Sequence, residues 1–294
     1  MEATAVVRSG DTLGESVCWD AGAQCVLWID GVQPTLHRYH PATGVHSSLA
    51  VPVAAPLGMI AQTTDPSVLA LAQPEGIAFF NIETRTMTTY GHPEAGREGI
   101  GYNDAKVDPQ GRLWVGTYDS SEADPRGTLW LFPGHGPAVL VDAGLVVVNG
   151  PAFSPDGKQI YVSDSTGKKI YAYEVRSGAP WLGPRRVFAA MTADEGLPDG
   201  LTVDSEGCVW CAHWDGARVT RISPQGERLM AISVPARRVT SVAFGGAKLD
   251  TLYITTARYG CNETELARTP DAGGLFSARP GVTGIRASLL PLPR

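Results

Sequence analysis

The sequence predicts an all-β fold, a six-bladed β-propeller with four-stranded antiparallel blades. A turn followed by an apolar strand recurs six times, and the 34 glycines and 22 prolines interrupt the chain too often for long helices. One turn residue marks each copy, and these are Asp20, Asp65, Asp108, Pro155, Asp204 and Gly245. Their spacings of 45, 43, 47, 49 and 41 residues suit a blade, which needs about 40–45 residues.

The elements of each copy follow in the same order. A polar turn leads into a short strand rich in aromatic and β-branched residues, at 19–28, 64–71, 107–117, 153–162, 203–210 and 244–254. A further strand follows in five copies, at 36–39, 76–80, 128–132, 169–173 and 218–222. This turn-separated alternation is typical of hairpins.

The whole chain, residues 1–294, is expected to form a single propeller domain, because no linker or shift in composition divides it. A sandwich or a barrel would not explain one unit repeated six times. We expect a strand from one terminus to pair with strands from the other, because closing the ring removes exposed sheet edges.

Composition limits the class of protein. The net charge of −6 is spread along the chain, whereas nucleic-acid binding requires clustered Lys and Arg; we therefore expect no nucleic-acid partner. No stretch approaches the ~20 apolar residues of a membrane helix, so no membrane is expected. Five irregularly spaced cysteines and the lack of a basic, then apolar, leader favour a reduced cytoplasmic protein. The sequence leaves the oligomeric state open.

Four polar residues stand just ahead of the recurring turns. Asp199 is five residues before Asp204, Asn103 five before Asp108, and Asn149 six before Pro155, while Glu15 precedes the first turn. Innermost propeller strands line the central channel, so these side chains should converge there. Carboxylate and amide oxygens suit a hard divalent cation. The alternative is that the Asn-Gly and Asp-Gly pairs are only turn formers.

Other histidine, cysteine and acidic residues are assigned structural roles. His37, His40 and His46 share one predicted hairpin and are expected to be surface histidines. Cys208 and Cys211 should point to opposite faces of a strand. His213, Trp214 and Asp215 are expected to form a turn at a blade end, with substrate contact as the alternative.

Several motifs resemble one known family across nearly the whole chain. They are Leu13-Gly14-Glu15, Asn103-Asp104, Asn149-Gly150, Leu197-Pro198-Asp199-Gly200 and the segment 239–246. These are similar to the regucalcin/gluconolactonase (senescence marker protein 30-like) family of six-bladed propeller sugar lactonases.

The resemblance implies one divalent cation, with Ca, Zn, Mn, Mg and Fe(II) all open, held by Glu15, Asn149 and Asp199. It implies that Asn103 contacts metal or substrate and that Asp199 is the general base. Glu122 lies in a loop that can supply a substrate contact, and Asp164 resembles a residue behind the ligands.

The function implied is metal-dependent hydrolysis of a sugar (aldono-) lactone to the sugar acid. The cation would polarise the lactone carbonyl, and either Asp199 or water or hydroxide on the metal would drive the attack. The alternatives are a phosphotriesterase-like or other ester hydrolase on the same propeller, or a non-catalytic metal-binding propeller.

One departure from the family concerns substrate binding. Family members usually carry a substrate-binding Arg two positions before the Asn at 103, where this chain has Gly101. Glycine cannot supply the planar, multi-donor contact of a guanidinium. The change affects the substrate and leaves the three ligand positions intact.

Overall fold

The computed structural model describes residues 1–293, which form six four-stranded antiparallel sheets arranged as the blades of a propeller. The N-terminal strand is β1 (Thr4–Val7). Blade 1 follows, with β2 (Gly14–Asp20), β3 (Cys25–Asp30), β4 (Thr35–His40) and β5 (Val45–Ala50). Blade 2 contains β6 (Met59–Gln62), β7 (Val68–Gln73), β8 (Gly76–Asn81) and β9 (Met87–Gly91).

The next three blades repeat this order. Blade 3 contains β10 (Ile100–Val107), β11 (Leu113–Asp119), β12 (Gly127–Phe132) and β13 (Val139–Leu145). Blade 4 contains β14 (Val148–Phe153), β15 (Gln159–Asp164), β16 (Lys169–Glu174) and β17 (Arg186–Ala190). Blade 5 contains β18 (Leu197–Val203), β19 (Val209–Trp214), β20 (Arg218–Ile222) and β21 (Arg228–Ser233).

Blade 6 is completed by both ends of the chain. It contains β22 (Arg238–Gly245), β23 (Thr251–Ala257) and β24 (Leu275–Ala278), and β1 pairs with β24 as its outermost strand. This confirms the predicted pairing between the termini. The loop between β23 and β24 contains the short helix α1 (Glu263–Arg268), which the sequence analysis missed. Its signal was local: Asn262 and Glu265 form a capping box.

The core is divided among the blade interfaces. Six clusters of buried apolar residues lie one between each pair of neighbouring blades. The second strand of each blade is therefore buried on both faces, as in Cys25–Asp30 and Thr251–Ala257, which explains the nearly continuous apolar runs there. The innermost strands are left to line the central axis. Within residues 1–293 no helix is long and apolar enough to cross a membrane.

Candidate functional site

A β-bulge recurs at one depth in the innermost strands. The pairing register shifts between Glu15 and Cys18 in β2, and comparable shifts occur in β10, β14, β18 and β22. Only β6 pairs with its neighbour regularly among these inner strands. Bulges re-aim side chains and are common beside active sites. The four predicted channel residues all lie in or at the edge of a bulge.

The predicted site residues line a single cavity of about 580 Å³ at one end of the axis. These residues are Glu15, Asn103, Glu122, Asn149 and Asp199. Asn149-Gly150 and Asp199-Gly200 lie inside β14 and β18, so the alternative that these pairs are only turn formers is wrong. A Cβ on Gly150 would lie 2.4 Å from the Leu201 amide nitrogen, so this glycine permits close packing of two inner strands.

The two amides form a chain of hydrogen bonds across neighbouring blades. Nδ2 of Asn103 donates to Oδ1 of Asn149 at 2.8 Å and to the carbonyl of Val148 at 3.0 Å. Nδ2 of Asn149 donates to Oγ of Ser165 at 3.0 Å, and that hydroxyl donates to the carbonyl of Pro198 at 2.7 Å. These contacts orient the Asn149 carbonyl oxygen, which keeps a lone pair for a further partner.

The carboxylates of Glu15 and Asp199 have no positive partner within residues 1–293. Asp199 is 4% exposed, and its Oδ1 has no hydrogen-bond partner in this described part of the chain. Burial raises the pKa of Asp199, and the charge of Asp104 raises it further. Burial also raises the pKa of Glu15, with added repulsion from Asp199 and Asp104. No ion pair among residues 1–293 includes Glu15 or Asp199, so this environment favours a bound cation.

The donor set fits a hard divalent cation. In the described part of the chain, no three His, Cys, Asp or Glu side chains converge closely enough to hold a metal by themselves. Glu15 and Asp199 therefore need the amide oxygen of Asn149 and water to complete a shell. An all-oxygen set of this kind suits Ca²⁺, Mg²⁺ or Mn²⁺ better than a thiolate-preferring metal.

Strand-end aspartates hold the loops that lead into the ligand-bearing strands. Oδ1 of Asp164 accepts from the amides of Val146 and Val147, just before Asn149. Asp30 accepts in the same way from the amides of Thr12 and Leu13, ahead of Glu15. Asp164 therefore acts on Asn149 through the backbone.

The space beside Gly101 is filled by an aromatic ring. A Cβ built on Gly101 would lie 2.4 to 2.7 Å from ring and hydroxyl atoms of Tyr118, its cross-strand partner. Tyr118 lines the cavity, and burial raises the pKa of its phenol. Glu122 is exposed, with a left-handed φ of 53°.

The histidine prediction was wrong for one residue. His37 is only 6% exposed; it stacks on Trp28, its Nε2 lies 3.1 Å from Oδ1 of Asp11, and its Nδ1 lies 3.0 Å from Nε2 of His46. His46 is exposed as expected. In blade 5, His213 is fully buried, and burial lowers its pKa to about 4.

Among the other residues that line the cavity, Trp214, Arg238 and Tyr259 are large side chains that the sequence did not assign to it. Trp214 was expected in a turn at a blade end, with substrate contact as the alternative. The sequence did contain a signal for Arg238. It is the first residue of the innermost strand β22, and Glu15 is the second residue of the innermost strand β2. Tyr259 lies in a loop, and no sequence pattern indicated that it lines the cavity.

Residues 13–258 match the model of the "SMP-30/Gluconolactonase/LRE-like region". The chain belongs to this family. The six-bladed fold described above is thus that of an SMP-30/gluconolactonase-type propeller, as the sequence motifs predicted.

Relatives of this SMP-30/gluconolactonase-type chain include named sugar lactonases. It is 35% identical to a 6-deoxy-6-sulfogluconolactonase of Pseudomonas putida, over 95% of each chain. It is 33% identical to the pentonolactonase XacC of Haloferax volcanii, over 97% of this chain and 96% of the relative. The structure superposes on a calcium-binding protein, regucalcin, from Agrobacterium tumefaciens with a TM-score of 0.92 and 25% identity, covering 99% and 98% of the two chains.

Proposed function

We propose that this protein is a divalent-metal-dependent lactonase that hydrolyses a sugar lactone to the corresponding sugar acid. The observation that carries the proposal is the buried, unpartnered Oδ1 of Asp199, beside Glu15 and Asn149 in one 580 Å³ cavity. Relatives at 33–35% identity are named as sugar lactonases.

The residues divide into ligands and substrate contacts. Glu15, Asn149 and Asp199 would hold the cation, which when bound supplies Lewis-acid polarisation of the lactone carbonyl oxygen. Asn103 and Glu122, which line the same cavity, would bind substrate hydroxyls. Tyr118 and Trp214 supply aromatic surface to the same cavity.

Asp199 is proposed as the general base. Its carboxylate accepts a proton from the attacking water, whose oxygen bonds to the carbonyl carbon. The ring C–O bond then breaks, and the proton passes to the departing alkoxide. The products account for the lactone plus one water, as a hydroxy acid.

The test compares Asp199→Asn with Asp156→Asn, a matched change on the exposed blade 4 turn outside the cavity. After chelation, each protein is reloaded with Ca, Mg, Mn, Zn or Fe(II) and assayed on a panel of sugar lactones. We expect Asp199→Asn to lower kcat by about 100-fold or more and Asp156→Asn to match the wild type. Folded, metal-loaded protein that opens no lactone would contradict the proposal.

A second candidate, a non-catalytic calcium-binding propeller, has one observation in its favour: the superposed regucalcin is described as calcium-binding. Calcium binding by the wild type, without turnover under any metal, would support it. The phosphotriesterase-like alternative is tested by adding aryl esters and phosphotriesters to the panel.

A further inference from the structure

The cavity has one cationic side chain among the described residues that line it, Arg238 at the start of β22. We propose that Arg238 forms a subsite for a second anionic group on the lactone, a carboxylate, phosphate or sulfonate at the end remote from the ring carbonyl. This inference rests on the proposed lactonase function and names its substrate class.

The positive charge of Arg238 is only partly neutralised. Its Nε lies 3.1 Å from Oδ1 of Asp215, and Nε of Arg237 lies 2.9 Å from the same oxygen. One carboxylate therefore serves two guanidinium groups. Arg237 also pairs with Glu265, away from the cavity. Arg238 has no second carboxylate within 4.0 Å among residues 1–293, so this single shared ion pair leaves the rest of its guanidinium open to another anion.

Several donors of Arg238 are available to a ligand. A guanidinium carries five N–H donors. Besides the contact with Asp215, Nη1 donates to Sγ of Cys261 at 3.4 Å, a weak acceptor, and Nη2 has no protein acceptor in the described chain. Two adjacent nitrogens presenting free N–H groups match the paired oxygens of a carboxylate, phosphate or sulfonate.

The guanidinium is also held in place before a ligand arrives. It lies 5.1 Å from the centroid of the Trp214 ring, and its side chain is only 11% exposed. Gly260 closes the other side, where an added Cβ would lie 3.1 Å from Nη1. A fixed donor pair loses little conformational entropy on binding.

The charges of the other residues that line the cavity leave Arg238 as the group that selects anionic over neutral lactones. Glu15, Asp199 and Glu122 are acidic, and a divalent cation would offset the first two. A neutral sugar has no charge for Arg238 to recognise. The guanidinium of Arg238, on blade 6, therefore separates anionic lactones from neutral ones.

The test measures kcat/KM for gluconolactone and for three lactones with a second anion: those of glucaric acid, phosphogluconic acid and sulfogluconic acid. The variants are Arg238→Met, Arg238→Lys and the control Arg237→Met, which also loses a contact to Asp215 but does not line the cavity. All are assayed with the metal that best activates the wild type.

We expect the wild type to prefer at least one anionic lactone. Arg238→Met should lower kcat/KM for that lactone by about tenfold or more, mainly through KM, while gluconolactone changes by less than about threefold. Arg238→Lys should recover part of the loss, and Arg237→Met should leave the anionic-to-neutral ratio unchanged. Activity on gluconolactone reports that the variants fold.

Three results would overturn the subsite. In the first, the wild type opens gluconolactone but has no higher kcat/KM for any lactone with a second anion. In the second, Arg238→Met lowers kcat/KM equally for all lactones. Either result contradicts the subsite and leaves the lactonase proposal intact. Failure to open any lactone removes both proposals. The three anionic lactones also separate carboxylate, phosphate and sulfonate as the preferred group.

Discussion

At the level of single side chains, the pair Gly101 and Tyr118 shapes the cavity wall. The two residues are opposite each other in β10 and β11. No Cβ can be added at 101 without meeting the Tyr118 ring within 2.7 Å. The aromatic ring thus takes the space that a longer side chain at position 101 would use, and the two positions should be energetically coupled.

We expect Gly101→Arg alone to lower the free energy of unfolding by about 1–3 kcal/mol, because the added side chain overpacks against Tyr118. The double variant Gly101→Arg, Tyr118→Gly should recover most of that loss, because the ring is gone. Urea unfolding of the wild type, both single variants and the double variant measures the coupling. Additive effects of the two changes would show that the ring does not occupy this space.

Among the elements, the recurring turn is stabilised by a buried aspartate with two roles. Oδ1 of Asp204 accepts from the amides of Glu206 and Cys208, each at 3.0 Å, which closes the turn. Its Oδ2 accepts from Nε1 of Trp210 at 2.9 Å and from Nε of Arg221 at 2.8 Å. Asp108 makes the corresponding contacts with Arg112 and Trp114 in blade 3. In both blades, one carboxylate therefore joins the turn to a buried tryptophan on the following strand.

Replacing Asp204 by Asn should destabilise the fold by about 3 kcal/mol, because Arg221 and Trp210 would share a neutral group in a buried place. The control is Asp65→Asn in blade 2, where the aspartate contacts Ser67 and has no indole or guanidinium partner among residues 1–293. We expect a smaller loss there. Thermal unfolding followed by circular dichroism compares the two, and equal losses would contradict the dual role of Asp204.

For the molecule as a whole, a second segment of the chain links blades of the ring, in addition to the pairing of β1 with β24. The C-terminal crossing segment, residues 283–292, begins beside blade 5, where the Ser205 amide donates to the carbonyl of Thr283 at 2.8 Å. It reaches blade 2, where the Leu290 amide donates to the carbonyl of Gln62 at 2.9 Å. Residues 285–288 help to line a cavity of about 260 Å³ together with innermost strands of all six blades. The segment thus covers the end of the axis opposite the candidate site.

Two adjacent leucines test the contribution of this segment to stability. Leu290 is fully buried, whereas Leu289 is 45% exposed. Leu290→Ala should lower the free energy of unfolding by about 2–4 kcal/mol, and Leu289→Ala should lower it far less. Metal-dependent lactonase activity below the unfolding temperature should be unchanged in both, because neither residue lines the candidate site. Equal effects on stability would show that the segment is not anchored through Leu290.

Much of the architecture could be predicted from local pattern. Turn chemistry at Asp20, Asp108 and Asp204 and the spacing between turns indicate blade number, because blades 1 to 5 each fold from contiguous residues and blade 6 borrows only β1 from the other end of the chain. The same spacing predicted that Glu15, Asn103, Asn149 and Asp199 face one cavity, as the structure has them. Their roles in metal binding and catalysis stay predictions.

Other features required contacts between residues far apart in the chain. The burial of His37 depends on Asp11 from the loop before blade 1, and the filling of the Gly101 space depends on a ring from the next strand. Arg238 is held at the cavity wall by an aspartate that it shares with Arg237 and by the indole of Trp214. Repeats and turns are encoded by neighbouring residues. The recurring turn and apolar strand were therefore enough to predict the ring of blades. The shape and charge of the cavity arise where different blades meet, and only the folded ring brings those residues together.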